Sequence, residues 1–111
     1  MFTKAKVKKY LNTIESFSFF DELLNFYTTI HMKEVLRFWG MKKIQFHLDF
    51  FEEEPILIKV HSTLNSLNCE IVFSVHSCTI NYPPHQNIIL NYNEYNSLNS
   101  LFEHLRILLE A

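Results

Sequence analysis

The spacing of apolar residues divides the chain into a helical part, an extended part and a final helical part. Before Gly40, apolar residues recur every three or four positions, which is the period of an amphipathic helix. After Gly40 they alternate with polar residues, which is the period of a half-buried strand. This order predicts an α+β fold in which N-terminal helices, an antiparallel sheet and a C-terminal helix follow one another, with the helices on one sheet face.

Two or three helices are predicted before the sheet. The first covers about residues 3–16 and the second begins near residue 18. Because Thr28 and Thr29 are β-branched, a break is predicted there, after which the helical stripe resumes as far as Trp39. Gly40, the only glycine, stands where a helix commonly ends in a left-handed residue.

A four-stranded antiparallel meander is predicted for residues 43–90. The first strand, about residues 43–50, directs alternate residues, ending with Phe50, to the apolar face and forms one edge of the sheet. The turn that follows is Glu52-Glu53-Glu54-Pro55. The register that this turn and the next polar loop impose places His47 opposite Lys59 and His61 opposite Glu70.

The third strand is predicted to be long and bent. Its apolar phase slips by one residue between Val75 and Cys78, and residues 76–79 contain no Gly, Asn, Asp or Pro. We therefore expect a β-bulge near Ser77 rather than a hairpin. Cys69 and Cys78 would then lie far apart along one strand, so that both are expected to be free thiols.

The C-terminal helix has the clearest pattern in the chain. Its apolar residues fall on one face at helical spacing, and Asn93 is a candidate N-cap. The apolar face consists of Leu98, Leu101, Phe102, Leu105, Leu108 and Leu109. This helix is expected to cover the apolar face of the sheet.

Composition places the chain among small globular proteins. It has 111 residues, of which 48% are hydrophobic and 20% charged, so that a single α+β domain over residues 1–111 is expected. No stretch has the ~18 apolar residues of a membrane helix, and the lysine-rich start lacks the apolar core of a secretory signal. Since the residues encoded by AT-rich codons dominate, we expect a low-GC bacterial host, a cytoplasmic location, and a host gene or a phage or mobile-element gene.

Catalytic and metal-binding motifs are not evident. A single glycine excludes a P-loop and a dinucleotide-binding fingerprint. The predicted register keeps His47, His61 and His76 apart, with His76 opposite Pro55, and sequence proximity of Ser74, Ser77 and Cys78 to His76 is no evidence of a catalytic dyad. We expect a protein that is not an enzyme and that uses no metal or cofactor.

Charge is distributed unevenly along the chain. Residues 1–43 carry eight basic and four acidic side chains, whereas residues 44–111 carry two and eight. The candidate partner-binding residues are Asp49, Glu52, Glu53 and Glu54, which could pair with a basic protein surface. The alternative, nucleic-acid-binding residues are Lys4, Lys6, Lys8 and Lys9.

These features favour a non-catalytic protein-binding module. The leading hypothesis is an inhibitor, encoded by a phage or mobile element, that occludes a basic surface of a host defence or nucleic-acid enzyme, as anti-CRISPR and anti-restriction proteins do. The alternatives are a toxin-neutralising immunity protein or antitoxin, and a small regulator that binds nucleic acid through the N-terminal lysines. The sequence leaves open whether the protein is a monomer or a homodimer.

Overall fold

The elements follow the predicted order of helices, sheet and helix. The computed structural model describes residues 16–110, with side chains from residue 19 onward, so that nearly all of the helix predicted over residues 3–16 lies outside the described residues. The helices are α1 (Ser16–Thr28), α2 (His31–Phe38) and α3 (Leu98–Glu110), and the strands are β1 (Lys42–Phe51), β2 (Glu54–Leu64), β3 (Leu67–Ser74), β4 (Ser77–Tyr82) and β5 (His85–Asn91). A short 3-10 helix, Tyr92–Glu94, links β5 to α3. The α+β fold is confirmed.

The boundaries of α2 follow the predicted break and stop. Between α1 and α2 the Thr29 hydroxyl donates to the backbone carbonyl of Asn25 across 2.8 Å. At the other end Gly40 has a φ of +100°, its amide donates to the carbonyl of Arg37, and the amide of Met41 donates to that of Leu36. This pair of bonds is a Schellman motif, in which the left-handed residue directs the chain out of the helix and into β1.

The sheet is an antiparallel meander with strand order β1-β2-β3-β4-β5, and β1 is an edge as expected. The predicted register is confirmed, since His47 lies opposite Lys59 and His61 lies opposite Glu70. A shift of one residue would have placed the apolar residues of β2 on the polar face. The hydrophobic alternation and the turn lengths therefore determined the pairing correctly.

The predicted count of four strands is wrong, because a hairpin divides the long third strand into β3 and β4. Val75 and His76 form its two-residue turn, and the Ser74 hydroxyl donates to the backbone carbonyl of Ser77 across 2.8 Å. Tyr92 supports the turn from the far side of β4: its amide donates to the carbonyl of His76 at 3.1 Å. Contacts from a distant residue thus replace the local turn residues whose absence made a hairpin unexpected.

The irregularities in pairing lie elsewhere in the sheet than near Ser77. Asp49 pairs with Leu57, but the next residue of β1 pairs with Pro55, so that Ile56 is an extra residue in β2. A second shift lies near the start of β1, where Lys43 has a φ of +54°. A bulge of this kind bends its strand and increases the local twist, here next to the β1–β2 turn.

The helices pack on one face of the sheet through aromatic contacts. Phe102 of α3 stacks on Phe73 of β3 with ring centroids 5.7 Å apart, and Tyr27 of α1 meets Phe46 of β1 edge-on at 5.1 Å. Cys69 and Cys78 are buried on this face and are free, as predicted, although they lie on different strands. The opposite face carries the polar residues of each strand and has no described helix over it.

The N-terminus of α3 differs from the prediction. Asn93 lies within the 3-10 helix, and the residue preceding Leu98 is Ser97, whose hydroxyl accepts a hydrogen bond from the amide of Ser100 at 3.2 Å. Ser97 is therefore the N-cap of α3, and the 3-10 helix accounts for the displacement of four residues. Across residues 16–110, none of the helices has the length and apolar character needed to cross a bilayer.

Candidate protein-binding site at the β1–β2 hairpin

The hairpin of β1 and β2 ends in a segment, residues 50–56, that we call the hairpin tip. β1 ends at Phe51, β2 begins at Glu54, and Glu52 and Glu53 form the turn between them. Glu52 has a φ of +58°, in the left-handed region where hairpin turns strongly favour Asn or Gly. A glutamate at this position costs backbone energy and places a carboxylate at the most projecting point of the hairpin.

Three apolar side chains surround the two turn glutamates. Phe50 is 55% exposed, Phe51 is 66% exposed and Ile56 is 38% exposed. None of the three belongs to the hydrophobic core or packs against it. Phe50, which was predicted to share the apolar face of β1, is therefore not covered by the core.

The two aromatic rings lie on opposite sides of the hairpin. Phe50 pairs with Pro55 and Phe51 pairs with Glu54, and consecutive strand residues point to opposite faces. The tip therefore presents an aromatic side chain on each side and carboxylates at its end. A partner that encloses the tip could bury both rings at once.

The four acidic residues predicted as a partner-binding group do not all lie together. Glu52 and Glu53 are exposed in the turn, and Glu54 is half-buried at the start of β2. Asp49 lies on the polar face of the sheet instead, where its carboxylate is 2.7 Å from Nε2 of His47. Three of the four acids thus belong to the tip, and Asp49 belongs to the sheet face beside it.

The histidines of the polar face lie beside separate carboxylates rather than in one cluster. Nδ1 of His61 is 3.3 Å from a carboxylate oxygen of Glu70, whereas the partner of His47 is Asp49. His76 lies in the β3–β4 turn, so that its predicted position opposite Pro55 is wrong. Within residues 16–110 no three His, Cys, Asp or Glu side chains are placed to hold a metal ion.

The candidate nucleophiles Cys69, Cys78 and Ser74 are buried in the fold or take part in its hydrogen bonds. Burial raises the pKa of the Cys69 thiol to about 11, against the weaker opposing effect of its hydrogen bond with Ser62. Burial also raises the pKa of the Cys78 thiol. Both thiols are therefore protonated at neutral pH and are poor nucleophiles. The hydroxyl of Ser74 serves the β3–β4 turn.

The tip aromatics are functional candidates that reasoning from the sequence missed. The signal was the adjacent pair Phe50-Phe51, because two consecutive strand residues cannot both face the core. The lysines of the alternative nucleic-acid hypothesis, Lys4, Lys6, Lys8 and Lys9, lie outside the described residues.

No protein-family profile, curated protein or solved structure matches this chain with significance.

Proposed function

We propose that this protein is a non-catalytic module that binds another protein through the hairpin tip. The observation that carries the proposal is the exposure of Phe50 and Phe51 beside the turn glutamates Glu52 and Glu53. Aromatic residues are enriched in the buried centres of protein interfaces, whereas charged groups are found at their rims. The tip supplies both kinds of group, with aromatic anchors on its two sides and carboxylates at its end.

The phenylalanines are expected to supply most of the binding free energy, and the glutamates most of the specificity for a basic surface. Burying the exposed part of each phenylalanine would contribute about 1–2 kcal/mol to binding. Exposed carboxylates add less to affinity, but they speed association with a basic surface and disfavour acidic ones. The expected partner surface is an apolar recess bordered by lysine or arginine side chains.

The conformation of Glu52 supports a role for its side chain. Its φ of +58° is unfavourable for a residue with a Cβ atom, and glycine or asparagine would relieve that cost. Backbone strain concentrates where function requires a particular side chain. A carboxylate retained at the end of the turn is consistent with a contact to a cation on the partner.

The class of partner that best fits is an enzyme with a basic, nucleic-acid-binding surface. Carboxylates on a projecting hairpin can occupy arginine and lysine side chains that otherwise bind phosphate. A protein of this kind would inhibit by occluding that surface. Together with an amino-acid composition rich in residues that AT-rich codons encode, this favours an inhibitor of a host defence or nucleic-acid enzyme, encoded by a phage or mobile element and acting in the bacterial cytoplasm.

A capture experiment tests the proposal. The tagged protein is used to isolate partners from the lysate of a low-GC bacterium, in parallel with the variants Phe50→Ser/Phe51→Ser and Glu52→Lys/Glu53→Lys. The matched controls are Ile107→Ser, an exposed apolar residue of α3, and Glu22→Lys/Glu34→Lys, which makes the same change of net charge on the helices.

We expect a protein with a basic surface to be captured by the wild type and both controls and lost with both tip variants. Capture that persists in both tip variants would contradict the proposal. Loss of capture in the controls as well would show that capture depends on net charge or nonspecific hydrophobic contact, and would also contradict the proposal.

A further inference from the structure

A second exposed aromatic surface lies at the other end of the β1–β2 ladder from the hairpin tip. There the ends of α2 and α3 and the β2–β3 turn enclose a cavity of about 530 Å³, which we call the helix-end recess. Its apolar lining includes Phe38, Trp39, Leu64 and Leu109. Since β1 has 10 residues, the recess and the tip are separated by about 30 Å.

The helix-end recess has an exposed anchor, and exposed cations lie next to its lining residues in the chain. Phe38 is 90% exposed, the largest exposure among the large apolar side chains described. Arg37, which precedes it, and Lys42 and Lys43, which begin β1, are exposed. Arg106 and Glu110 both line the recess, and the Arg106 guanidinium contacts Glu103 at 3.0 Å and Glu110 at 2.7 Å, so that the positive charge near the recess comes from the three cations that flank its lining residues in the chain.

The two ends of the molecule are complementary to each other. The tip combines exposed phenylalanines with Glu52 and Glu53, and the recess has apolar walls whose residues are flanked in the chain by three exposed cations. These are the properties expected of the tip's partner surface. A cavity of 530 Å³ is within the range of ~300–1,000 Å³ typical of binding pockets, so that it can accept a phenylalanine ring.

We propose that the helix-end recess binds the hairpin tip of a second copy of this chain. This inference rests on the proposed function, in that the tip is the binding element. Because tip and recess lie at opposite ends, one molecule cannot occupy its own recess, and each molecule can join two neighbours. The contact is therefore heterologous, and it produces head-to-tail chains or a closed ring.

The association is weak and reversible. A hairpin tip in a recess buries less than the ~1,200–2,000 Å² of a stable interface, so that binding requires a high protein concentration. The carboxylates and cations at its border are exposed, so that salt weakens it. A foreign partner with a larger recess would compete with the second copy for the tip.

Sedimentation equilibrium over a range of concentrations tests the inference, with two variants that each remove one side of the contact. Phe50→Asp/Phe51→Asp removes the tip, Phe38→Asp removes the anchor of the recess, and Ile107→Asp is the control. All these residues are more than half exposed, so that the variants are expected to fold, and circular dichroism verifies this.

We expect the mass of the wild type and of the control to rise with concentration and to fall when salt is added. Each disabling variant should remain monomeric alone. An equimolar mixture of the two should form a heterodimer and nothing larger, because the mixture contains one intact tip and one intact recess per pair.

A wild type that stays monomeric at ~1 mM would overturn the inference, as would growth of the Phe38→Asp variant into larger species. So would a mixture with no heterodimer. Capture of a foreign partner through the tip, with no self-association, would overturn this inference alone and leave the proposed function standing.

Discussion

The phenolic hydroxyl of Tyr92 donates a hydrogen bond to the backbone carbonyl of Ser74 across 2.6 Å. The two residues are 18 positions apart in the sequence, and Tyr92 is fully buried. This bond, with the one from the Tyr92 amide to His76, fixes the β3–β4 turn against the end of β5. These two bonds support the hairpin that divides the predicted third strand into β3 and β4.

Replacing Tyr92 by phenylalanine is expected to destabilise the protein by about 1–3 kcal/mol, because the part-buried carbonyl of Ser74 loses this donor while the ring is retained. Urea unfolding followed by circular dichroism measures the loss. Tyr95→Phe is the matched control: its hydroxyl bonds to His104 in an exposed position, so that a change of under ~0.5 kcal/mol is expected. Equal stability of Tyr92→Phe and the wild type would contradict this role for Tyr92.

The features of the fold that could be predicted from the sequence are those that follow from the local spacing of hydrophobic residues. Helices α1 to α3 and the pairings of His47 with Lys59 and His61 with Glu70 follow from hydrophobic spacing and turn length. The β3–β4 turn could not be predicted in the same way. Its sequence, Val75-His76, has no turn preference, and its support comes from Tyr92.

From the sequence alone, only the acidic residues of the candidate site were predicted, and its exposed phenylalanines were not. Glu52, Glu53 and Glu54 are recognisable as a turn from the sequence alone. The exposure of Phe50 was not predictable from alternation, because alternation specifies a face but not whether a helix covers it. Phe50 lies beside the bulge at Ile56, and neither residue packs against the hydrophobic core.

Gly40→Ala is expected to destabilise the protein by about 1 kcal/mol or more. The φ of +100° is unfavourable for any residue with a Cβ atom, whereas the nearest side-chain atom to a new methyl group, Cδ1 of Leu64, is at an ordinary 3.5 Å. The cost is therefore in the backbone rather than in packing. Gly40→Asn should lose less, since asparagine tolerates left-handed conformations better, and an equal loss in both variants by urea unfolding would contradict this explanation.

The two cysteines are expected to react very slowly with a thiol reagent at pH 8 in the native protein. Burial raises the pKa of Cys69 to about 11 and also raises that of Cys78, so that little thiolate is present at this pH. In urea both should react at the rate of free cysteine. Rapid labelling of two thiols in the folded protein would contradict the burial of these two side chains.

Glu52→Gly is expected to stabilise the protein by about 0.5–1 kcal/mol while weakening partner binding. Glycine adopts the left-handed φ without strain, but it removes the carboxylate from the end of the tip. Thermal unfolding gives the first effect and partner affinity the second. Glu53→Gly, in the neighbouring turn position, is the control that is not expected to gain stability.

The most direct test of binding through the hairpin tip is the affinity of the captured partner for the wild type and for Phe50→Ser/Phe51→Ser, measured by titration calorimetry. Loss of two anchors worth about 1–2 kcal/mol each predicts a Kd at least tenfold weaker, with Ile107→Ser unchanged. An unchanged Kd for the phenylalanine variant would contradict the claim that the protein binds through its hairpin tip.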